Sequence, residues 1–286
     1  MKLATWNVNS IKARLERLTA WLARHEPDVL CLQELKVEEK AFPREEIAAL
    51  GYDYAAVCQR TYNGVAILSR WPISDVTSGI DDGHEDPQAR LIAATVAGVR
   101  VLSAYFPNGE RIGSDKWDYK LEWMTRLRAH LDARYHPDQP LALCGDFNVA
   151  PDERDVHDVR AWTGTTLFHP DVRDRLRRIQ DFGLVDVMRK HHEEPGIYSW
   201  WDYRMLGFPK NNGLRIDHVF ATAPLAAKSL ECVVDREERK GKLPSDHAPV
   251  VATFDWPLPK ERAKVPRDGA AAADPAPAAG QGSLFR

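Results

Sequence analysis

Four acidic residues of this sequence stand where short apolar runs end or inside tight polar turns. They are Glu34, Asp146, Asp217 and Asp246, and the last of them is followed directly by His247. Converging carboxylates repel one another unless a cation or a protonated histidine offsets their charge. Oxygen ligands without a Cys or His cluster select a hard ion, so the pattern indicates Mg²⁺ or Mn²⁺. Each acid alone is more often a cap or a surface charge, but the group with its interleaved amides favours a metal-assisted site.

One arrangement of elements occurs twice and predicts how these residues are positioned. A strand over residues 3–9 is followed by an amphipathic helix, a buried strand over 29–32 and then Glu34. A strand over 99–106 is likewise followed by a helix over 117–135, a strand over 140–144 and then Asp146. Ser10 is expected to cap the first helix. Polar residues just past strand ends suit a shared site at one edge of stacked sheets.

Turn signals lie between and after these two copies. Asn63-Gly64 fits a type I′ turn between two strands, and Ala97-Gly98 separates two further strand-like runs. Residues 214–220 and 248–254 also have the composition of strands. These short strands, with a few amphipathic helices outside, predict an α/β fold. We expect a four-layered α/β sandwich, in which two mixed or mainly antiparallel sheets pack face to face.

Composition excludes several classes of protein. The 286 residues carry a net charge of −3, which excludes binding of nucleic acid by bulk positive charge but leaves a local basic face open. No apolar run has the length of a membrane span, and the polar N-terminus predicts that no signal peptide is present. The four cysteines are far apart, form no C-x-x-C pair or zinc spacing, and three stand in apolar runs as core thiols do, which favours a reducing cytoplasm. Residues 1–256 are expected to form one catalytic domain, and the Pro/Ala/Gly-rich residues 257–286 a disordered tail.

Eight short stretches combine the acids with amides and aromatic residues. They are Trp6-Asn7-Val8-Asn9, Leu32-Gln33-Glu34, Asn63 to Ser69, Tyr105-Phe106-Pro107-Asn108-Gly109, Gly145-Asp146-Phe147-Asn148, Ser199 to Arg204, Leu214-Arg215-Ile216-Asp217 and Ser245-Asp246-His247. Because these stretches occur in this order along residues 1–256, the chain resembles the exonuclease III type of AP endonuclease, in the endonuclease/exonuclease/phosphatase superfamily. The Gly-Asp-x-Asn and Ser-Asp-His elements are shared by the wider superfamily, whereas the 105–109 and 200–204 stretches point to its DNA-repair branch.

The resemblance implies roles for the matching residues. Glu34 would be the main magnesium ligand, helped by Asn9 or Asp246 directly or through water. Asp146 would orient the attacking water or deprotonate it. His247 would contact the scissile phosphate, with Asp217 bonded to its other ring nitrogen. Three further residues would hold the water or the phosphate oxygens, or act on the leaving group: Asn7, Tyr105 and Asn148. Asp146, His247 and Tyr105 all stay candidates for the principal proton transfer.

A DNA-repair enzyme of this type must also hold phosphates and a baseless sugar. The candidate phosphate contacts are Lys36, Arg90, Asn108, Arg111, Lys116 and Lys120, with the 173–178 stretch as a weaker one. Trp201 is the expected flat lining of the sugar pocket, with Phe182 and Leu214 beside it, whereas Trp200 is expected to be a core residue. Arg204 and Met205 are expected to enter the duplex, where Arg204 would fill the space of the missing base.

The function implied is a Mg²⁺- or Mn²⁺-dependent phosphodiesterase of base-excision repair. It would act as a cytoplasmic, nucleoid-associated monomer on double-stranded DNA with abasic sites or blocked 3′ ends. It would cut 5′ to the abasic site, leave a 3′-hydroxyl, trim 3′ ends and have 3′→5′ exonuclease activity. Two alternatives stay open: a phosphatase acting on inositol phosphates or lipid headgroups, and an inactive scaffold that binds DNA or a clamp. Near the C-terminus, Gln281, Leu284 and Phe285 resemble a peptide that docks on the sliding clamp.

Overall fold

Twelve strands and seven helices build the part of the chain that the structure, a computed structural model, describes, which is residues 1–263. The strands are β1 (Lys2–Asn7), β2 (Val29–Gln33), β3 (Asp53–Val57), β4 (Val65–Ser69), β5 (Ile73–Ser78), β6 (Leu91–Val96), β7 (Val99–Tyr105), β8 (Leu141–Asp146), β9 (Leu184–Asp186), β10 (Asp217–Thr222), β11 (Ser229–Val234) and β12 (Val250–Phe254). The helices are α1 (Leu15–His25), α2 (Arg44–Ala49), α3 (Asp115–Arg134), α4 (Val159–Trp162), α5 (Pro170–Gln180), α6 (Val187–His191) and α7 (Ala223–Ala226).

The strands form two six-stranded mixed sheets. The first has the order β11-β12-β1-β2-β4-β3 and the second β5-β6-β7-β8-β10-β9. Each sheet has one parallel pair at its centre, β1 with β2 and β7 with β8, and antiparallel pairs around it. These two pairs are the twice-repeated strand-helix-strand units of the sequence. A parallel pair needs a long crossover, and α1 and α3 supply it here.

Three apolar clusters hold four layers together. The largest joins the facing sides of the two sheets and contains Val29, Ile67, Val101 and Val219. A second packs α3 and α5 on the outside of the second sheet, and a third packs α1 and α2 on the outside of the first. The predicted four-layered α/β sandwich with helices outside is therefore confirmed.

Two local predictions were wrong and one was confirmed. Ser10 does not cap α1, which begins at Leu15 after a turn in which Asn9 and Ser10 have φ of 44° and 87°. Asn63 and Gly64 have the left-handed φ of a type I′ turn, but they end a longer loop over 58–64, in which Gln59 forms a bridge with Val37. Ala97-Gly98 does join β6 to β7 as a two-residue hairpin.

Gly145 lets β8 pass unusually close to β7. Its φ is 149°, and a Cβ at this position would lie 1.8 Å from the Ala104 carbonyl oxygen. We expect Gly145→Ala to lower the free energy of unfolding by about 3 kcal/mol or more, because the two strands must separate. The control is Gly98→Ala, where φ is 77° but the Cβ would meet nothing within 4 Å. That variant should lose about 1 kcal/mol. Equal losses in urea unfolding would contradict the steric explanation.

The described residues at the predicted domain end, and just after it, contact the body of the fold. Trp256 donates from Nε1 to the Ala97 carbonyl, and the Ala263 amide donates to the Arg70 carbonyl.

Cys31, Cys144 and Cys232 are buried free thiols, and Cys58 is half-buried. Among residues 1–263, no helix has both the length and the apolar character needed to cross a membrane. The predicted docking peptide lies outside the described residues.

Candidate active site

The ends of the central strands bring the predicted site residues to one edge of both sheets. In the first sheet Asn7 ends β1, and Glu34 follows the end of β2. In the second sheet Tyr105 ends β7, and it is in register with Asp146 at the end of β8. Asp217 begins the antiparallel strand β10 opposite Asp146. Strand direction and register therefore place five polar side chains from distant parts of the sequence around one space.

The Asn7 amide connects the two sheets at this edge. Its Nδ2 donates to Glu34 Oε1 at 2.8 Å and to Asp146 Oδ2 at 2.9 Å. Ligand atoms of Glu34, Asp146 and His247 all lie within 4.8 Å of one another. This cluster joins two carboxylates and an imidazole in a largely buried space, where electrostatic interactions are stronger than in water.

His247 carries a positive charge in this cluster. Its Nδ1 donates to Asp217 Oδ2 at 2.8 Å, and its Nε2 lies 3.7 Å from Asp146 Oδ2. Burial opposes the charged form, but the Asp217 and Asp146 carboxylates outweigh it and raise the pKa of His247 to about 10. The predicted Asp217–His247 pair is present, and it makes the imidazolium a fixed donor for a negatively charged substrate.

Asp146 is a buried carboxylate whose proton affinity is high. Its Oδ1 accepts the Asn148 backbone N–H at 2.9 Å, and its Oδ2 accepts the Asn7 amide. Burial raises the pKa of Asp146 to about 7, His247 opposes the shift, and the Asp217 and Glu34 carboxylates add to it. A carboxylate with a pKa near neutrality is suited to general-base work.

The Asn148 and Asn108 amides complete the wall beside Asp146. Asn108 Nδ2 donates to Asn148 Oδ1 at 3.1 Å, and Asn148 Nδ2 donates to the Phe106 carbonyl at 3.0 Å. Asn148 has a left-handed backbone with φ of 49°. A non-glycine residue in this conformation is unusual, and active sites are among the places where such residues cluster.

Tyr105 stays a hydroxyl donor. Burial raises its pKa well above the usual range, and the Glu34 and Asp146 carboxylates raise it further. Arg90 lies 5.0 Å from the centre of the Tyr105 ring and donates to the Tyr105 carbonyl at 3.2 Å. Its other nitrogens bond Gln88, so Arg90 supports Tyr105 instead of standing free for a phosphate.

A cation already lies between two of the predicted metal ligands. The Lys36 Nζ lies 2.6 Å from Glu34 Oε2 and 2.7 Å from Asn9 Oδ1. The third predicted ligand, Asp246, accepts the Asn9 amide at 2.9 Å and Trp200 Nε1 at 3.1 Å. Two oxygens that converge on one ammonium, beside two further carboxylates, fit a hard divalent cation. The protonated His247 does not suit a ligand role, since a metal binds the neutral ring.

The predicted substrate-side residues divide by exposure. Arg111 is exposed, and so are Lys116, which pairs with Glu110 at 2.8 Å, and Arg204, which pairs with Asp202 at 2.8 Å. Lys120 is fully buried, so its prediction as a phosphate contact was wrong. In the 173–178 stretch, Arg177 and Arg178 pair with Asp174.

The predicted aromatic pocket lining needs correction. Trp201 is fully buried against Phe208, and Leu214 is fully buried in another apolar cluster, so neither presents a surface to substrate. Phe182 belongs to the core under α3 and α5. Trp200, which was expected to be core, is half-buried and hydrogen-bonds Asp246. Trp200 and Trp201 are adjacent, so in extended backbone their side chains point to opposite sides. The backbone hydrogen bonds between Trp200 and Leu214 set the orientation of this segment, which turns the Trp201 ring into the core and the Trp200 ring towards Asp246.

Two supports of the site were missed from the sequence. Ser199 Oγ donates to Asp217 Oδ2 at 2.6 Å, although the serine stands in a stretch that carried the resemblance. Arg215 is fully buried and bonds Asp155 at 2.6 Å and Asp186 at 2.8 Å. The signal for Arg215 was its place inside an apolar run, where a charge needs buried partners.

His218 ties this ionic network to the Asp146 loop and should make stability depend on pH. Its Nδ1 faces Arg215, and its Nε2 bonds the Val149 carbonyl at 3.0 Å. Burial and Arg215 lower the pKa of His218 from 6.5 to about 4. Between pH 6.5 and about 4, His218 is therefore protonated in the unfolded chain but stays neutral in the folded chain. We expect the histidine to cost up to about 3 kcal/mol of stability as pH falls from 6.5 to 4.

Urea unfolding at several pH values measures this effect in wild type and His218→Gln. His218→Gln should have a lower free energy of unfolding than wild type at pH 7, because it loses the hydrogen bonds of the imidazole. As the pH falls, the free energy of unfolding of wild type should drop more steeply, so the difference between the two proteins should become smaller. The exposed His136 provides the control, since His136→Gln should follow the wild-type curve. Parallel curves for wild type and His218→Gln would contradict the assignment.

Comparison with known proteins identifies the family. A model of the endonuclease/exonuclease/phosphatase family matches residues 4–247. The chain belongs to this family. It is 34% identical over 266 residues to exodeoxyribonuclease III of Haemophilus influenzae, and the match covers 89% of this chain and 100% of the relative.

Solved structures agree with that result. An AP endonuclease from Archaeoglobus fulgidus superposes with a TM-score of 0.87 at 41% identity, covering 89% of this chain and 99% of that one. A 3′ phosphatase from Neisseria bound to product DNA hairpin superposes with a TM-score of 0.86 at 41% identity, covering 90% and 100%. The family member described here is thus a hydrolase of the exonuclease III and AP endonuclease type, as the sequence motifs predicted.

Proposed function

We propose that the chain is a Mg²⁺-dependent DNA-repair phosphodiesterase that cuts the backbone 5′ to abasic sites and leaves a 3′-hydroxyl. The observation that carries the proposal is the convergence of Glu34, Asp146 and a charged His247 within 4.8 Å. Such a site offers a general base and a fixed cation to a phosphodiester. The relatives named as a nuclease, an AP endonuclease and a DNA phosphatase support DNA as the substrate.

In this mechanism Asp146 takes the proton from the attacking water. Its neutral-range pKa and its two amide donors support that role, because the amides fix the carboxylate while leaving it basic. His247 is charged and therefore binds a phosphate oxygen instead of acting as the base. Asn7, Asn148 and Tyr105 supply further polar groups around the same phosphate, and the Tyr105 hydroxyl is the one proposed to assist the leaving oxygen.

Glu34 is the proposed main ligand of Mg²⁺ or Mn²⁺, with Asn9 and Asp246 as helpers. The two oxygens on the Lys36 ammonium support a cation position between Glu34 and Asn9. A bound divalent ion polarises a phosphate oxygen and offsets the charge that develops during attack. Lys36 would then leave Glu34 and become free for a DNA phosphate, as the sequence predicted.

DNA would lie against the exposed residues around the cluster. Arg111, Lys116 and the Asn108 amide are the proposed phosphate contacts. The 203–206 segment presents Tyr203, Met205 and Leu206, which are 52%, 83% and 64% exposed, next to Arg204. Exposed apolar side chains beside an arginine suit insertion into a duplex at a missing base. Trp200 replaces Trp201 as the proposed aromatic lining of the sugar pocket.

A second activity is removal of blocking groups from 3′ ends. It is favoured by the likeness to the Neisseria 3′ phosphatase, and 3′→5′ exonuclease activity would follow from the same attack on an end nucleotide. Hydrolysis of inositol phosphates and a role as an inactive scaffold are the rival functions. The intact cluster argues against the scaffold, and the DNA-acting relatives argue against inositol phosphates. A monomer in the cytoplasm, associated with the nucleoid, stays a prediction.

One assay separates these functions. The protein is incubated with a duplex that contains one tetrahydrofuran abasic analogue, in Mg²⁺, in Mn²⁺ or in EDTA, and products are resolved on a denaturing gel. We expect metal-dependent incision 5′ to the analogue with a 3′-hydroxyl product, and removal of phosphate from a 3′-phosphorylated duplex. Binding without cutting would support the scaffold. Hydrolysis of an inositol phosphate without action on DNA would support the phosphatase.

The C-terminal peptide is proposed to bind the sliding clamp. Gln281 followed by Leu284 and Phe285 combines a polar anchor with an apolar pair that suits a hydrophobic groove. Deletion of residues 281–286 should abolish binding to the clamp in surface plasmon resonance and leave the incision rate unchanged. A control that deletes 270–275 keeps the peptide and should keep binding. Clamp binding by the 281–286 deletion would refute the motif.

A further inference from the structure

Lys120 is a fully buried lysine on α3 whose ammonium holds three loops together. Its Nζ donates to the carbonyls of Asn148 at 2.7 Å, Thr166 at 2.8 Å and Asn108 at 3.2 Å. These carbonyls belong to the segments that follow β8, α4 and β7. An ammonium has three N–H donors, so this set uses all of them.

The bonding of Lys120 is unusual for a buried charge. Within residues 1–263, no carboxylate oxygen lies within 4 Å of its Nζ. A buried ammonium without an ion-pair partner costs free energy, and only its carbonyl bonds offset that cost here. Burial lowers the pKa of Lys120 to about 7, although Asp146 opposes the shift. A hydrophobic residue at this position would leave the three carbonyls without this donor, so the lysine is the group that ties the three loops to one another.

Two of the three carbonyls belong to residues of the site itself. Asn148 and Asn108 hydrogen-bond each other through their side chains, and Asn148 Nδ2 also lies 3.4 Å from Asp146 Oδ2. A carbonyl held in place also fixes its peptide plane, and so the direction of the attached side chain. Gly109 brings the loop close to this lysine, since a Cβ there would lie 3.0 Å from Lys120 Cδ.

We infer that Lys120 is a positioning residue, which holds the Asn148 backbone in its left-handed conformation and so fixes the Asn148 and Asn108 amides beside Asp146. This inference rests on the proposed function, since it takes Asp146 as the base of the reaction. Lys120 itself touches neither DNA nor the attacking water. It acts through Asn148, and removal of its donors should therefore lower kcat with little change in DNA affinity.

The test compares three lysine variants with wild type on the abasic duplex. Lys120→Met keeps the length of the side chain and removes the donors, and Lys120→Gln keeps two N–H donors. Lys190→Met is the matched control, because Lys190 is on α6, away from the cluster, and its Nζ also bonds the Ala226 carbonyl and the Ser229 hydroxyl. We expect Lys120→Met to lower kcat by about 10- to 100-fold, as loss of a supporting partner typically does. The kcat of Lys120→Gln should lie between those of Lys120→Met and wild type, and Lys190→Met should keep the wild-type kcat.

A double-mutant cycle with Asn148→Ala separates positioning from general weakening of the fold. If Lys120 acts through Asn148, Lys120→Met should lower kcat less than about 3-fold in the Asn148→Ala background. DNA affinity, measured by fluorescence anisotropy in EDTA, should stay within about 2-fold of wild type. An equal loss in both backgrounds, or a wild-type kcat for Lys120→Met, would overturn the inference.

A crystal structure of Lys120→Met, or of Lys120→Gln if the first variant does not fold, tests the geometry without catalysis. We expect the Asn108–Asn148 side-chain bond to be lost and Asn148 to leave its left-handed conformation. An unchanged Asn148 would overturn the inference even if wild type cleaves abasic DNA. If wild type cleaves no DNA, the proposed function fails, and the crystal structure still decides whether Lys120 positions Asn148.

Discussion

Asp146→Asn is expected to lower kcat for incision of abasic DNA by about 10³-fold, with little change in KM. The substitution keeps the size of the side chain and one oxygen acceptor, so the bonds from Asn7 and Asn148 need not both be lost. It removes the base, because an amide does not take a proton from water near neutral pH. It also removes the negative charge that faces the His247 imidazolium at 3.7 Å.

Single-turnover cleavage of the duplex with the tetrahydrofuran analogue measures this loss. Asp28→Asn is the matched control, since Asp28 also accepts two protein donors, Lys2 N and Trp71 Nε1, but precedes β2 at the opposite end from Glu34. It should cut at the wild-type rate. If Asp146→Asn kept more than about a tenth of the wild-type kcat, a different residue would be the base.

His247→Gln is expected to lower kcat by about 10²- to 10³-fold, because it removes a charged donor from the position of the phosphate. Glutamine can still donate a hydrogen bond, so the decrease in kcat measures the contribution of the positive charge of His247. The raised pKa of His247 means that the imidazolium persists at neutral pH and loses its proton only as the pH approaches about 10. The activity of wild type should therefore fall as the pH approaches about 10. His247→Gln has no imidazolium to lose a proton, so its activity should not show this fall.

The pH dependence of single-turnover rates between pH 6 and 10 tests the charge directly. His130→Gln is the matched control, since His130 is also buried but lies on α3 near Tyr135, away from the cluster. It should show the wild-type profile. An unchanged alkaline fall in His247→Gln would show that another group titrates there, and the assignment of the phosphate-binding charge to His247 would be wrong.

Local sequence determined the elements of this protein because the signals for them lie within a few residues. The apolar runs before Glu34 and Asp146 are buried strands, and the Ala97-Gly98 hairpin needs only two residues with left-handed φ. The two strand-helix-strand units of the sequence are present in the structure, where each forms the parallel pair at the centre of one sheet. Since strand ends in a parallel pair meet at one edge, each unit by itself places its polar residues together, and the packing of the two sheets then brings Asp146 to Asn7 and Glu34.

Only the tertiary structure decided which side chains face that site. The sequence favours Trp201 as the ring that faces the site and Trp200 as the core residue, but the fold reverses the two, burying Trp201 and leaving Trp200 beside Asp246. Lys120 is a candidate phosphate contact by residue type and position in the sequence, yet packing of α3 buries it under three loop carbonyls. The pKa of His247 depends on Asp217 and Asp146, which are 30 and 101 residues away in the chain. Residue type sets what a side chain can do, but burial and partners come from contacts between distant segments, and these exist only in the folded chain.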